Sequence, residues 1–141
     1  MGTSYDEIWE SFLENCGYDR DELPKIDELR YSMIKNAIRY YNQRVKKYSS
    51  FIRGGLICDE ITETLNFNLK DIEMLILSNV LGYIFCKNKL NEFVSIYSVF
   101  AKEMGFKDYK NQLDGRQMEV SRYEDEIRRL IEDEYDTFTL Q

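Results

Sequence analysis

The 141-residue sequence has no histidine, a single proline (Pro24), seven glycines and three cysteines. Without histidine there can be no Ser-His-Asp or Cys-His site, no imidazole metal ligand and no proton shuttle poised near neutral pH. Cys16, Cys58 and Cys86 are widely spaced, odd in number and form no C-x-x-C pair. They read as small buried hydrophobes in a reducing compartment, not as a disulfide framework. Only Cys86, followed by Lys87, has a neighbouring cation that could activate a thiol. The most apolar stretch, 74–86, is broken by Ser78 and Asn79 and falls short of the ~20 residues a bilayer span requires. Residues 1–14 are acidic and helix-patterned, so no secretion signal is expected. Arg53-Gly54-Gly55 lacks the spacing and the Lys-Ser/Thr of a phosphate-binding loop.

What is present suffices for a core: 43% of residues are hydrophobic and 14% aromatic, including eleven tyrosines. That composition, in a chain of one-domain size, predicts an all-α fold. The expected form is a bundle of four to five helices around a hydrophobic central helix at about 68–88. Residues 1–135 would form a single helical domain, with an extended tail over 136–141. Ser4 and Glu7 make a capping box for a first helix whose apolar face holds Ile8, Trp9, Phe12, Leu13 and Cys16, ended by Gly17. Pro24 suits the first position of a second helix running to about residue 47, with Met33, Ile34, Ala37, Ile38, Tyr41 and Val45 in phase. Residues 48–55 read as a loop. Ile57, Ile61 and Leu65, four apart, suggest a short helix.

Asn68 can cap the central helix, with Asp71 in its first turn, and Gly82 would permit a close crossing at its middle. Leu90, Phe93, Val94 and Tyr97 either continue this helix or begin another. A last helix starts near Lys107 or Gly115 and carries a narrow stripe of Leu113, Val120, Tyr123, Ile127, Leu130 and Ile131. Thr137, Phe138, Thr139 and Leu140 alternate as a strand does, in a tail too short to pair with itself.

The net charge of −7 is segregated along the chain. Residues 1–28 carry nine acids and two bases, residues 29–56 seven bases and no acid, and residues 111–141 nine acids and four bases. Lys35, Arg39 and Lys46 fall on one side of the second helix, away from its apolar face. Such a face can meet an anionic partner, but pairing with the acidic first helix or with another subunit is favoured, because an acidic chain is unlike most nucleic-acid-binding domains. Glu124-Asp125-Glu126 and Glu132-Asp133-Glu134 lie among Arg122, Arg128 and Arg129 and read as a solvated face, not as catalytic carboxylates. No enzyme activity and no cofactor or metal is expected.

Residues 65–83, beginning Leu-Asn-Phe-Asn-Leu-Lys-Asp-Ile-Glu-Met-Leu-Ile-Leu, place Leu69, Glu73, Ile76 and Leu77 at the opening of the central helix. Together with residues 89–105, Asp108-Tyr-Lys-Asn-Gln-Leu, the Trp9 region and Ala37-Ile-Arg-Tyr-Tyr-Asn, this pattern resembles the head-to-tail connector adaptor, or head-completion, family of tailed bacteriophages. The resemblance implies an α-helical protomer made in the bacterial host cytoplasm and assembled in the virion neck as a ring, typically of twelve copies, beneath the portal protein. It also implies contact with further neck or tail proteins, no membrane partner, and genomic DNA passing through the channel without sequence-specific contact. The tail residues Thr137, Phe138, Thr139 and Leu140 would dock on the portal. Lys35, Arg39, Lys46 and Arg53 would face a neighbouring subunit or the channel. The alternative is a helical nucleic-acid-binding module, for packaging or regulation, using Arg30, Lys35, Arg39, Arg44, Lys46, Lys47 and Arg53.

Overall fold

The computed structural model describes residues 2–45, 55–97, 99, 103 and 105–139, with the side chains of 45 and 134–139 left aside. Four α-helices dominate: α1 (Tyr5–Cys16), α2 (Asp27–Tyr40), α3 (Asp71–Tyr97) and α4 (Phe106–Thr139). α3 is the axis, packed against each of the other three. At 1.5 Å per residue its 27 residues span about 40 Å. Its apolar side chains point in every direction, and Ile76, Leu77, Val80 and Leu81 are fully buried. The two polar interruptions are satisfied locally. Ser78 Oγ donates to Met74 O at 2.8 Å, and Asn79 Nδ2 donates to Leu75 O at 2.9 Å.

α1 begins at the expected Ser4 N-cap, with the Glu7 amide donating to Ser4 Oγ, and it ends on Gly17 in the left-handed region at φ 60°. α2 starts later than Pro24 suggested: its first residue is Asp27, and Pro24 lies in the preceding connection, where its carbonyl accepts from Arg30 Nε. α2 also ends earlier. The Tyr41 amide reaches both Ala37 O and Ile38 O, and the chain widens into a π-turn over Tyr41–Val45. This keeps Tyr41 wholly buried and aims Asn42 at Leu56, whose backbone N–H and C=O both bond the Asn42 amide at 2.9 Å.

The expected short helix through Ile57, Ile61 and Leu65 is instead a small antiparallel hairpin, β1 (Cys58–Asp59) with β2 (Thr64–Leu65). Asp59 Oδ1 accepts from the amides of Ile61 and Thr62, and Glu63 takes φ 56°. The side-chain-to-backbone turn wins because the i, i+4 apolar stripe finds no partner: Ile61 is 95% exposed. Residues 3–5 lie along β2, with Leu65 N donating to Thr3 O and a bridge between Ser4 and Thr64. Gly2 is required at the edge, since a Cβ there would sit 2.0 Å from Leu65 O.

The central helix starts at Asp71, three residues beyond the expected Asn68 cap, and runs past 88 to Tyr97, absorbing Leu90, Phe93 and Val94. The cap is supplied from inside, with the buried Glu73 accepting the Lys70 amide through Oε1 at 3.1 Å. Gly82 makes the close crossing expected of it: a Cβ would lie 2.5 Å from Cε1 of Tyr123 on α4. α4 itself starts at Phe106 and is helical through Thr139, so the backbone of 136–139 is helical where an extended tail was expected. Strand-like alternation over four residues is too short a signal to override continuation of a helix already formed.

Candidate functional site

Spacings of three and four place Glu7, Glu10 and Glu14 along one side of α1. There they face the first turns of α3, and with Asp71 they rim a groove of ≈ 630 Å³ floored by Met74 and Leu75. The carboxylates at the helix starts, Glu7 and Asp71, are favoured by the positive ends of the helix dipoles. Glu14 is not, because it occupies the last turn of α1, where no base accompanies it. None of Glu7, Glu10, Glu14 and Asp71 forms an ion pair among the described residues.

Among the described residues the basic side chains of α2 form no ion pair with the acids of α1, one of the two pairings expected for them. Lys35 Nζ pairs with Glu60 Oε1 in the hairpin turn at 2.7 Å. Arg30 is laid over the Trp9 ring at 5.5 Å while reaching Asp27 and Pro24 O. Arg39 is exposed and has no ion pair among the described residues. Arg44, also exposed, covers the Tyr40 ring at 5.3 Å and helps line a second cleft of ≈ 370 Å³ with Ile127, Arg128, Ile131 and the carboxylates Glu124 and Glu132 of α4. Lys46, Lys47 and Arg53 lie outside the described residues, as does Leu140, and the side chains of Thr137, Phe138 and Thr139 are likewise not described. Of the face drawn through Lys35, Arg39 and Lys46, Lys35 is paired and Arg39 has no ion pair among the described residues.

Of the two acidic runs on α4, Glu124, Asp125, Glu132 and Asp133 are exposed and Glu126 is half-exposed, the solvated face their arginine neighbours implied, and the Glu134 side chain lies outside the described residues. Arg129 bridges Glu126 and Asp133, and Arg128 pairs with Asp125. The Arg129 guanidinium holds the Glu126 carboxyl below its usual range.

Two of the three thiols, Cys16 and Cys86, are held in hydrogen bonds, whereas Cys58 is partly exposed and not a fully buried hydrophobe. Tyr18, between α1 and α2, donates its hydroxyl to Glu119 Oε1 at 3.0 Å. A carboxylate can only accept, so the Cys86 thiol, 2.6 Å away, donates to the Tyr18 oxygen. Cys16 Sγ donates to Ser78 O at 3.4 Å. Burial pushes the Cys16 thiol up to about 11 and the Cys86 thiol up to about 12, and Lys87, directed at Tyr83, does not offset it.

Among the described residues, no group of three or more Cys, Asp or Glu side chains is placed to hold a metal ion. No helix among them is long and apolar enough to cross a membrane.

Two features escaped sequence reading. The acidic groove needs Asp71, remote in sequence, although the 7, 10, 14 spacing was a usable signal for its α1 side. The distal end of the α3–α4 pair is the second: among the described residues Phe93 is buried there, stacked on Tyr109 at 5.5 Å under Arg116, while Val94, Ile96, Tyr97 and Phe106 are exposed.

The fold and its surfaces define a helical protein with segregated charge. The family model of the YomZ prophage protein matches residues 1–136, and the chain belongs to that family. It is 39% identical over 129 residues to the SPbeta prophage-derived uncharacterized protein YomZ of Bacillus subtilis (strain 168), an alignment covering 92% of this chain and 93% of that protein. No solved structure matches.

Proposed function

We propose that the protein is a non-enzymatic structural component of a tailed-phage neck, forming a homo-oligomeric ring between portal and tail through which the genome passes. The observation that carries this reading is charge segregation. A groove rimmed by carboxylates without internal counter-ions and an acid-free basic segment, 29–56, occupy one protomer. A head-to-tail ring needs two different, complementary patches on each subunit, and this division supplies them. Membership in a prophage family supports the phage setting, and the resemblance to connector adaptors supplies the neck, the portal as partner and a dodecameric ring.

The competing nucleic-acid reading is weakened by the fate of its own residues. Arg30 is committed to Trp9 and Lys35 to Glu60, which leaves fewer cations for phosphate. Portal docking through Thr137, Phe138, Thr139 and Leu140 would use a helix end and not an added strand, because α4 continues through Thr139. Negative-stain imaging and native mass measurement of the protein with its portal test the reading: a ring on the portal is expected, and a strict monomer that ignores the portal overturns it. Deleting 137–141 should abolish docking while leaving helicity essentially intact.

A further inference from the structure

The groove between α1 and α3 is more than an acidic surface. Its floor is apolar, formed by the half-buried Met74 and Leu75, and its rim holds five exposed carboxylates, Asp6, Glu7, Glu10, Glu14 and Asp71, none of them in an ion pair among the described residues. Glu14 weakens the end of its own helix by standing in the last turn. The nearest chemical complement in the same sequence is segment 29–56, with seven bases and no acid.

Within that segment Arg39 and Arg44 are exposed and form no ion pair among the described residues, although Arg44 shares its cleft with Glu124 and Glu132 of α4. The two arginines flank the junction of α2 with its π-turn, Arg39 on the helix and Arg44 in the turn, which is fixed by the Tyr40–Tyr83 ring contact at 5.3 Å. Tyr83 is twelve residues beyond Asp71 on α3, about 18 Å along the axis and about 120° around it on a regular helix. The groove and the arginine patch therefore open at different levels and on different sides of the protomer, and cannot satisfy each other within one copy.

We infer that the groove rimmed by Asp6, Glu7, Glu10, Glu14 and Asp71 is the docking site for the Arg39–Arg44 segment, the last turn of α2 and the π-turn after it, from a second copy of this chain. The arginines would meet the carboxylate rim, and their aliphatic stems would cover Met74 and Leu75. The inference rests on the ring reading and names its subunit contact. Because donor and acceptor patches differ, each copy uses one of each and the assembly propagates head to tail. The contact strengthens as salt is lowered, since screening of exposed charges relaxes from about 10 Å at 0.1 M to about 30 Å at 0.01 M.

The test uses two neutralised variants of the full chain, the groove variant Glu7→Gln/Glu10→Gln/Glu14→Gln and the patch variant Arg39→Gln/Arg44→Gln. All five positions are exposed, so both should keep the wild-type circular dichroism and thermal midpoint. By sedimentation velocity at low salt, the wild type should form assemblies larger than dimers and each variant alone should be monomeric. An equimolar mixture should stop at the 1:1 dimer, because only one complementary contact remains per pair. Assembly undiminished in either variant overturns the assigned contact while leaving the ring to be built by other faces. A wild type that is monomeric at low salt also overturns it, and portal-bound imaging then judges the ring reading separately.

Discussion

The ring of Tyr123 lies directly on the α3 backbone at Gly82, so close that a Cβ on Gly82 would stand 2.5 Å from Cε1 and 2.7 Å from Cζ of that ring. Tyr123 cannot swing aside freely, since it is buried and stacked near Tyr18. The contact locks α4 against the middle of α3 at the one place where the axis helix has no side chain.

Gly82→Ala is therefore expected to destabilise the protein, although alanine is the better helix former. The propensity gain of about 1 kcal/mol is opposed by an overpacking cost of typically ~1–3 kcal/mol, at the upper end here because the obstacle is a pinned ring. A net loss of about 1–2 kcal/mol should appear in chemical denaturation. In a Tyr123→Ala background the same substitution should become neutral or stabilising, and equal effects in the two backgrounds would show that the ring is not the obstacle.

Asn42 closes the chain between α2 and the hairpin by pairing with both backbone polar groups of Leu56. Leu56 is 3% exposed, so Asn42→Ala strands a donor and an acceptor with little access to water. The expected loss is about 2–3 kcal/mol. Asn42→Asp should cost comparably, because a carboxylate accepts from the Leu56 amide but cannot donate to its carbonyl. Urea unfolding of the pair of variants distinguishes this two-point link from a simple contact, for which Asp would retain most of the stability.

The thiol and phenol cluster sets a limit at alkaline pH. Cys16 and Cys86 are raised from 9.0 to about 11 and about 12, chiefly by burial. A group whose folded value is raised contributes stability that is fully present below its unfolded value and is lost as pH rises towards the folded one. Stability should accordingly be flat with respect to these groups up to about pH 9 and decline between about pH 9 and 12. Native protein at pH 8 should react with a thiol reagent far more slowly at Cys16 and Cys86 than unfolded protein does. Rapid native labelling of Cys86 would instead mean that Lys87 activates it.

How far the sequence foretold this arrangement depends on the range of the forces involved. Ser4, Glu7 and Gly17 set the bounds of α1 through bonds within one turn, and the role of Gly82 followed from a glycine at the middle of an all-round apolar helix. Ile57, Ile61 and Leu65 misled because periodicity records spacing and not burial; the Asp59 turn competes locally, and only Leu65 finds a core to enter. The groove was illegible for a different reason. Glu7, Glu10 and Glu14 are a visible row, but Asp71 and the Met74–Leu75 floor reach them only through the packing of α1 on α3. The pairing of Lys35 with Glu60, likewise, depends on the hairpin that periodicity missed.

Glu73 tests where the resemblance to connector adaptors ends and local physics begins. Its position in the opening of the central helix fits the pattern, yet its side chain is buried and spent on the Lys70 amide, three residues before it. A residue serving the helix start should tolerate any replacement that preserves an acceptor at that reach. Glu73→Gln keeps a carbonyl oxygen there and should lose no more than about 1 kcal/mol, whereas Glu73→Leu removes the acceptor and should lose about 1–2 kcal/mol despite its greater hydrophobicity. Neither should change assembly measured at a temperature where both remain folded. Loss of assembly in a fully folded Glu73→Gln protein would assign the carboxylate charge itself to the contact between subunits, a role its burial argues against.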